Sequence, residues 1–158
     1  MTGMDEVRSF LDPDEPDYPA AAVALGEDAL PELAELSAGD DPGLASKAVY
    51  LAGLIGGDGA PEILREAMGH DDPVVRVAAA GALRNLDDET ALDLALELLS
   101  DEDAGVRKVT VQSAARLESP EVRSRVREVA ESDADAYVRA LAKQLDAEEL
   151  PRKGPDVP

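Results

Sequence analysis

The stretch that decides the fold runs from Asp72 to Leu86 and reads DPVVRVAAAGALRNL. Aspartate at a helix N-cap accepts hydrogen bonds from the free amides of the first turn, and proline at the first helical position loses no bond there. The apolar residues that follow recur at helical spacing, as at Val75, Ala79 and Leu83. The stretch therefore predicts a capped, amphipathic helix.

The same pattern recurs at a nearly constant interval along the chain. Its leading aspartates are Asp41, Asp72, Asp103 and Asp135, at intervals of 31, 31 and 32 residues. Another amphipathic segment precedes each copy, over residues 28–36, 61–68, 89–99 and 120–130. A repeated helix pair buries its apolar stripe only by stacking on its neighbours. We therefore predict an all-α solenoid of about four to five antiparallel helix pairs, with second helices at 42–55, 73–86, 104–117 and 136–145.

The predicted organisation is one repeat domain over residues 1–150, with four repeats in residues 28–149. Residues 1–27 hold two short helical segments, Met4–Leu11 and Tyr18–Leu25, and three prolines interrupt this region. We interpret it as a degenerate N-terminal cap. Residues 151–158 contain three further prolines and a glycine, which predicts a disordered tail.

Composition restricts the possible functions. The chain has no cysteine, so disulfides and thiolate sites are excluded. No apolar run approaches the ~20 residues that span a membrane, and the start lacks the features of a secretory signal, so we expect a cytoplasmic protein. His70 is the only histidine, and one histidine supplies too few ligands for a metal site. Neither a base for a serine nucleophile nor a phosphate-binding loop is recognisable. We expect no enzyme activity, metal or cofactor.

The charge is strongly negative. The net charge is −20, and the basic residues are 11 Arg and 4 Lys. This composition resembles that of proteins from salt-accumulating archaea. Such a surface is tolerated there because at molar salt the Debye length is about 3 Å, so surface carboxylates no longer repel one another strongly. We expect a halophilic protein from a haloarchaeon. The alternative is an ordinary acidic cytosolic protein.

Acidic residues are absent from all four predicted second helices, although they dominate the rest of the chain. This segregation predicts a binding face for a protein segment on the side of the second helices away from the core. By helical spacing the face consists of Ser46, Tyr50, Val77, Gly81, Arg84, Lys108, Gln112 and Arg116. The alternative is that the second helices lack acid simply because buried carboxylates are costly.

The motif at residues 72–83, Asp-Pro-x-Val-Arg-x-x-Ala-Ala-x-Ala-Leu, resembles the HEAT-like repeat of the phycobilisome-lyase type. The resemblance covers roughly residues 28–146. It implies that the second helices line a concave side and that Asp and Arg residues form a ladder between repeats. By position the ladder residues are Asp72, Arg76, Asp103, Arg107, Asp135 and Arg139. Ala45 replaces the arginine in the first copy, so the ladder should be broken there.

Three function classes compete. The leading one is a non-catalytic scaffold or adaptor that binds a protein segment on the concave face. An accessory enzyme subunit of the bilin-lyase-like kind rests on the resemblance alone. Nucleic-acid binding is disfavoured by the net charge of −20.

An arginine cluster at Arg123, Arg125 and Arg127 is interpreted as a solvated face, paired with Glu121 and Glu131 at i,i+4 spacing.

Overall fold

A computed structural model describes residues 3–153, with side chains up to residue 147, and this part of the chain contains ten α-helices and no strand. The helices are α1 (Met4–Leu11), α2 (Tyr18–Leu25), α3 (Leu30–Ser37), α4 (Pro42–Ile55), α5 (Ala60–Ala67), α6 (Pro73–Ala82), α7 (Asp88–Leu98), α8 (Ala104–Ala114), α9 (Pro120–Ser132) and α10 (Ala136–Lys153). Short 3₁₀ turns at Glu27–Ala29 and Leu83–Asn85 precede α3 and follow α6. The predicted all-α solenoid class is confirmed.

The chain divides into two compact units, Met1–Leu86 and Asp87–Pro158. The boundary falls between the second and third predicted repeats. Such a division suits a repeat architecture, in which each helix pair contacts mainly its neighbours.

The first unit contains three helix pairs. Its second helices pack in a row, since α4 contacts both α2 and α6, and the first helices α3 and α5 cover them. The core consists of small and aliphatic side chains, among them Leu11, Leu25, Leu33, Ala48 and Leu51. Alanine brings helix backbones close together without losing side-chain entropy on folding.

One glycine shows how closely these helices approach. A Cβ added to Gly53 of α4 would lie 2.8 Å from the Cβ of Ala82 in α6. A Cβ contact this short forces something to shift, so the α4–α6 spacing depends on glycine at this position. Gly53 is buried, and it is therefore a packing residue.

The second unit contains two helix pairs. Helix α9 packs against α10, and α8 contacts α7 and α10. The buried residues of α9 follow the predicted stripe: Val122, Val126 and Val129. Within the described part of the chain, none of the helices combines the length and apolarity needed to cross a bilayer.

The repeated aspartates cap the second helices as predicted. Oδ1 accepts a hydrogen bond from a first-turn amide at Asp41 (from Leu44, 3.2 Å), Asp72 (from Val74, 2.9 Å), Asp103 (from Val106, 3.0 Å) and Asp135 (from Tyr137, 2.9 Å). The bonds satisfy amides that have no partner within the helix.

Helix bounds follow local sequence signals. Helices α1, α2 and α4 have the predicted bounds. Helix α10 continues past the predicted end at residue 145 to Lys153, because residues 146–150 are Asp-Ala-Glu-Glu-Leu and contain no glycine or proline to stop it. Of the predicted disordered tail, residues 151–153 are helical, and residues 154–158 lie outside the described residues.

Candidate partner-binding site

Three predicted site residues meet in the first unit, in an open depression of about 390 Å³ on the second helices. We call it the tyrosine groove. It is lined by Tyr18 of α2, by Ser46, Lys47 and Tyr50 of α4, and by Val74, Val77 and Ala78 of α6. The groove forms because small residues such as Ser46 and Ala78 leave space between the larger side chains.

Two aromatic rings form one wall of the groove. The centroids of Tyr18 and Tyr50 are 4.7 Å apart, and the ring planes meet at 61° in an edge-to-face arrangement. This geometry pairs the positive edge of one ring with the negative face of the other. Burial, and to a lesser extent the neighbouring Tyr50, raises the pKa of the Tyr18 phenol. The Tyr18 phenol is therefore neutral at physiological pH.

Lys47 contributes its aliphatic stem to the groove, while its charge serves the fold. Its ammonium donates to the carbonyls of Leu11 (3.1 Å) and Pro13 (2.7 Å). Leu11 is the last residue of α1, so Lys47 binds a carbonyl that the helix leaves without a partner.

The remaining predicted residues of the first unit do not line the groove. Gly81 is half-buried near the end of α6, and Arg84 is exposed in the 3₁₀ turn that follows.

In the second unit, the predicted residues lie on and just after α8. The Lys108 ammonium lies 4.8 Å from the centroid of the Tyr137 ring, a cation–π contact. Gln112 is exposed one turn further along, and Arg116 is exposed in the turn that ends the helix. Lys108 is thus engaged by an aromatic ring that itself remains 61% exposed.

The three predicted ladder arginines share one contact. In each, Nη1 donates to the carbonyl six residues earlier: Arg76 to His70 (2.8 Å), Arg107 to Asp101 (2.9 Å) and Arg139 to Asp133 (2.5 Å). The side chain thereby holds the loop before its own helix in place.

The acidic partner of Arg107 corrects the predicted ladder. Arg107 forms a two-pronged ion pair with Asp133, whereas Asp103 and Asp135, which are among the predicted ladder aspartates, use their carboxylates as helix caps. The charge-assisted hydrogen bonds from Arg107 lower the pKa of Asp133 despite its burial, and the same bonds raise the pKa of Arg107. The carboxylate of Asp135 points at the amides of its own helix. Asp133, two residues earlier, is therefore the residue that reaches Arg107.

His70 takes the position that Asp101 and Asp133 occupy in later repeats. The amide two residues on donates to the side chain in each case: Asp72 to His70 Nδ1 (3.0 Å), Asp103 to Asp101 (2.9 Å) and Asp135 to Asp133 (2.9 Å). The other ring nitrogen of His70 lies 3.2 Å from the Gly39 carbonyl of the previous repeat. His70 therefore links two repeats where the first copy has Ala45 in place of arginine. No group of three His, Asp or Glu side chains that could hold a metal occurs among the described residues.

The arginine cluster on α9 pairs differently from the prediction. Arg125 meets Glu128 (3.4 Å) and donates to Ser100 Oγ (2.6 Å), and Arg127 meets Asp146 of α10 (3.3 Å). The i,i+4 partners expected from sequence, Glu121 and Glu131, are not those that the arginines select. The exposed pairs contribute little stability individually.

The sequence profile of the family described as HEAT repeats matches residues 61–145, more than half of the 158 residues. The chain belongs to the HEAT-repeat family. Among curated proteins, none matches the sequence significantly.

Two solved structures resemble this HEAT-repeat chain in fold. One is a chain of the complex of CpcE and CpcF of phycocyanin lyase from Nostoc sp. PCC7120, which is 24% identical, with a TM-score of 0.69 and coverage of 90% of this chain and 96% of that one. The other is an engineered protein, 23% identical, with a TM-score of 0.54 and coverage of 94% and 81%. At these identities the matches establish the fold.

Sequence reasoning missed two aromatic residues of this HEAT-repeat protein. Tyr18 lies in the segment interpreted as the N-terminal cap, and Tyr137 lies in the predicted second helix of the fourth repeat. A signal for Tyr18 does exist: it precedes Tyr50 by 32 residues, close to the repeat period, so the two rings occupy neighbouring second helices at similar heights.

Proposed function

We propose that this chain is a non-catalytic scaffold that binds a segment of a partner protein on its second helices, with the tyrosine groove as the principal contact. One observation carries the proposal. The described residues that line the groove include no carboxylate, although the chain has a net charge of −20. Tyrosine is enriched among the residues that contribute most to binding at protein interfaces.

The lining selects an apolar or aromatic side chain. Two rings, two valines and an alanine offer dispersion contacts and apolar area, and the Lys47 ammonium is already bonded to backbone carbonyls. The bound segment therefore inserts an uncharged residue. Arg84, exposed beyond the end of α6, is available to a carboxylate further along the same segment.

A charge placed in the groove tests the proposal without disturbing the core. Val74 is 52% exposed and lies in the first turn of α6, where a carboxylate interacts favourably with the helix dipole. Val74→Glu should keep the helix content and melting temperature while lowering partner capture from native extract about tenfold or more. Ser124→Glu, an equal charge change at an exposed site on α9, is the matched control and should leave capture unchanged.

The tyrosine pair gives a second test. Tyr50→Phe keeps the ring and should retain capture, whereas Tyr50→Ala removes it and should abolish capture. Equal capture by all variants would place the binding surface elsewhere, and equal loss with Ser124→Glu would show that capture depends only on net charge.

A second candidate is an accessory subunit of a lyase-like enzyme. It is supported by the fold match to a chain of the phycocyanin lyase complex, which covers 90% of this chain. The two candidate functions differ in what should co-purify with the protein. A visible-absorbing chromophore or a catalytic subunit, retained through purification at native salt, supports the accessory role, and a colourless complex with a non-enzymatic protein supports the scaffold.

We also propose that the protein works in the salt-rich cytoplasm of a halophile. The support is the balance of 35 acidic against 15 basic residues. Repulsion among these carboxylates is long-ranged in dilute buffer and short-ranged at molar salt. A melting temperature that rises between dilute buffer and molar KCl is the expected result.

A further inference from the structure

Helix α2 turns an apolar face to solvent. The exposed residues, which we call the α2 face, are Pro19, Ala20, Val23 and Ala24. Val23 is 88% exposed, the highest value among the exposed large apolar side chains of the described residues. The opposite side of the helix, with Ala21 and Leu25, is buried in the core of the first unit.

This face differs from the exposed faces of α1, α3 and α5, the first helices of the same unit, each of which exposes charged residues. Helix α5, for example, exposes Glu62, Arg65 and Glu66, whereas no residue of α2 is charged. A surface helix normally places polar residues opposite its buried stripe. The sequence of α2 is therefore typical of a helix that is buried on both sides. No described residue, however, covers its outer side.

The shape of the α2 face suits a helix. Ala20 and Ala24 lie one turn apart and leave a shallow surface beside the larger Val23. Small residues of this kind already bring two helices together in the same unit, where Gly53 and Ala82 set the α4–α6 approach. A helix that presents its own apolar ridge can therefore pack closely on the α2 face.

The surroundings of the face are strongly acidic. Exposed carboxylates precede α2 at Asp14, Glu15 and Asp17 and follow it at Glu27 and Asp28. Between Arg8 and Lys47 the sequence has ten carboxylates and no basic residue. The ammonium of Lys47 is occupied by the carbonyls of Leu11 and Pro13. An apolar patch is thus framed by negative charge at both ends.

We infer that the α2 face is a second docking surface, which binds an amphipathic helix of another protein whose apolar stripe is bordered by Lys or Arg. Charge complementarity selects this occupant. A second copy of this chain would place its own carboxylates against those around the α2 face, and nucleic acid would place phosphates there. Both would be repelled. The surface is separate from the tyrosine groove and extends the proposed scaffold role to a second partner helix.

The test uses the full chain and a synthetic, fluorescein-labelled helix of Leu, Ala and Lys, about 18 residues or five turns long. Fluorescence anisotropy in molar KCl, where general attraction is screened, gives its dissociation constant. Val23→Glu, which changes an exposed side chain, should weaken binding about tenfold, and Ser124→Glu and Val74→Glu should not. A twin peptide with Glu in place of Lys should bind more weakly than the Lys peptide at low salt.

Three results would overturn the inference. The first is no binding of the Lys peptide to the parent chain. The second is binding that neither Val23→Glu nor Ser124→Glu weakens, which would mean attraction of the cationic peptide to net negative charge alone. The third is a concentration-dependent dimer of the protein that Val23→Glu dissociates, which would make the occupant a second copy. Since Val74→Glu changes only the tyrosine groove, failure of the groove proposal and failure of this one are distinguishable.

Discussion

The guanidinium of Arg107 and the carboxylate of Asp133 form two parallel hydrogen bonds, 2.7 Å from Nε to Oδ2 and 2.9 Å from Nη2 to Oδ1. The side chains are 13% and 5% exposed. The pair joins α8 to the turn before α10, and so connects the two repeats of the second unit. Its partners lie 26 residues apart, close to one repeat.

Arg107→Ala should destabilise the second unit by about 3 kcal/mol, the low end for a buried ion pair broken on one side. The loss exceeds that of an exposed pair because Asp133 is left buried without its partner. Urea titration of parent and variant measures it. Arg127→Ala is the matched control: its pair with Asp146 is half exposed, so it should cost less than about 1 kcal/mol. Equal costs for the two variants would contradict the structural role of Arg107.

The same pair predicts a pH dependence. The pKa of Asp133 is lowered in the folded state by the hydrogen bonds from Arg107. Its stabilising effect is therefore complete above the unfolded pKa of about 3.9 and is lost as pH falls through the folded value. Because many other carboxylates titrate in this range, the quantity to measure is the difference in unfolding free energy between the parent and Asp133→Asn. That difference should shrink as pH falls below about 4, and a constant difference would refute the assignment.

His70 should be replaceable by a residue that supplies the same acceptor. Asn at this position can accept from the Asp72 amide, as Asp101 and Asp133 accept in later repeats, without adding charge beside Asp71. His70→Asn should therefore be more stable than His70→Ala by about 1 kcal/mol, the net contribution of one hydrogen bond. Thermal melts of the two variants give the comparison. If they melt together, the acceptor at this position is not what holds the loop.

Stability should rise with salt. At a net charge of −20, self-repulsion opposes the compact state in dilute buffer, and molar KCl shortens the Debye length to about 3 Å. Circular-dichroism melts in dilute buffer and in molar KCl should show a higher midpoint at high salt. An unchanged or lower midpoint would contradict the halophilic assignment.

The parts of the fold that depend on local chemistry were predictable. Asp41 followed by Pro42 specifies a cap and a first helical residue, and the glycine at Gly56 stops the helix, so α4 has the predicted bounds. The four aspartate caps follow from the same rule. The repeat interval then places one second helix beside the next.

Contacts that depend on side-chain direction were not predictable. Asp133 and Asp135 are two residues apart in an acidic turn, and only the geometry of the cap decides which of them meets Arg107. The close approach of Ala82 to Gly53 depends on how α4 and α6 pack, which the local sequence around neither residue specifies. The depth of the tyrosine groove likewise depends on the spacing of three helices, which no local pattern specifies.

The most direct test of the central claim, that the tyrosine groove holds a partner segment, is site-specific photocrosslinking. Two variants are made, in which the photocrosslinking amino acid p-benzoylphenylalanine replaces either Tyr50 or Ser124 on α9. Each variant is irradiated in native extract at native salt. We expect an adduct with one protein from position 50, lost when Val74→Glu is added, and none from position 124. An adduct from position 124 without one from position 50 would contradict it, because the partner would then bind the first helices.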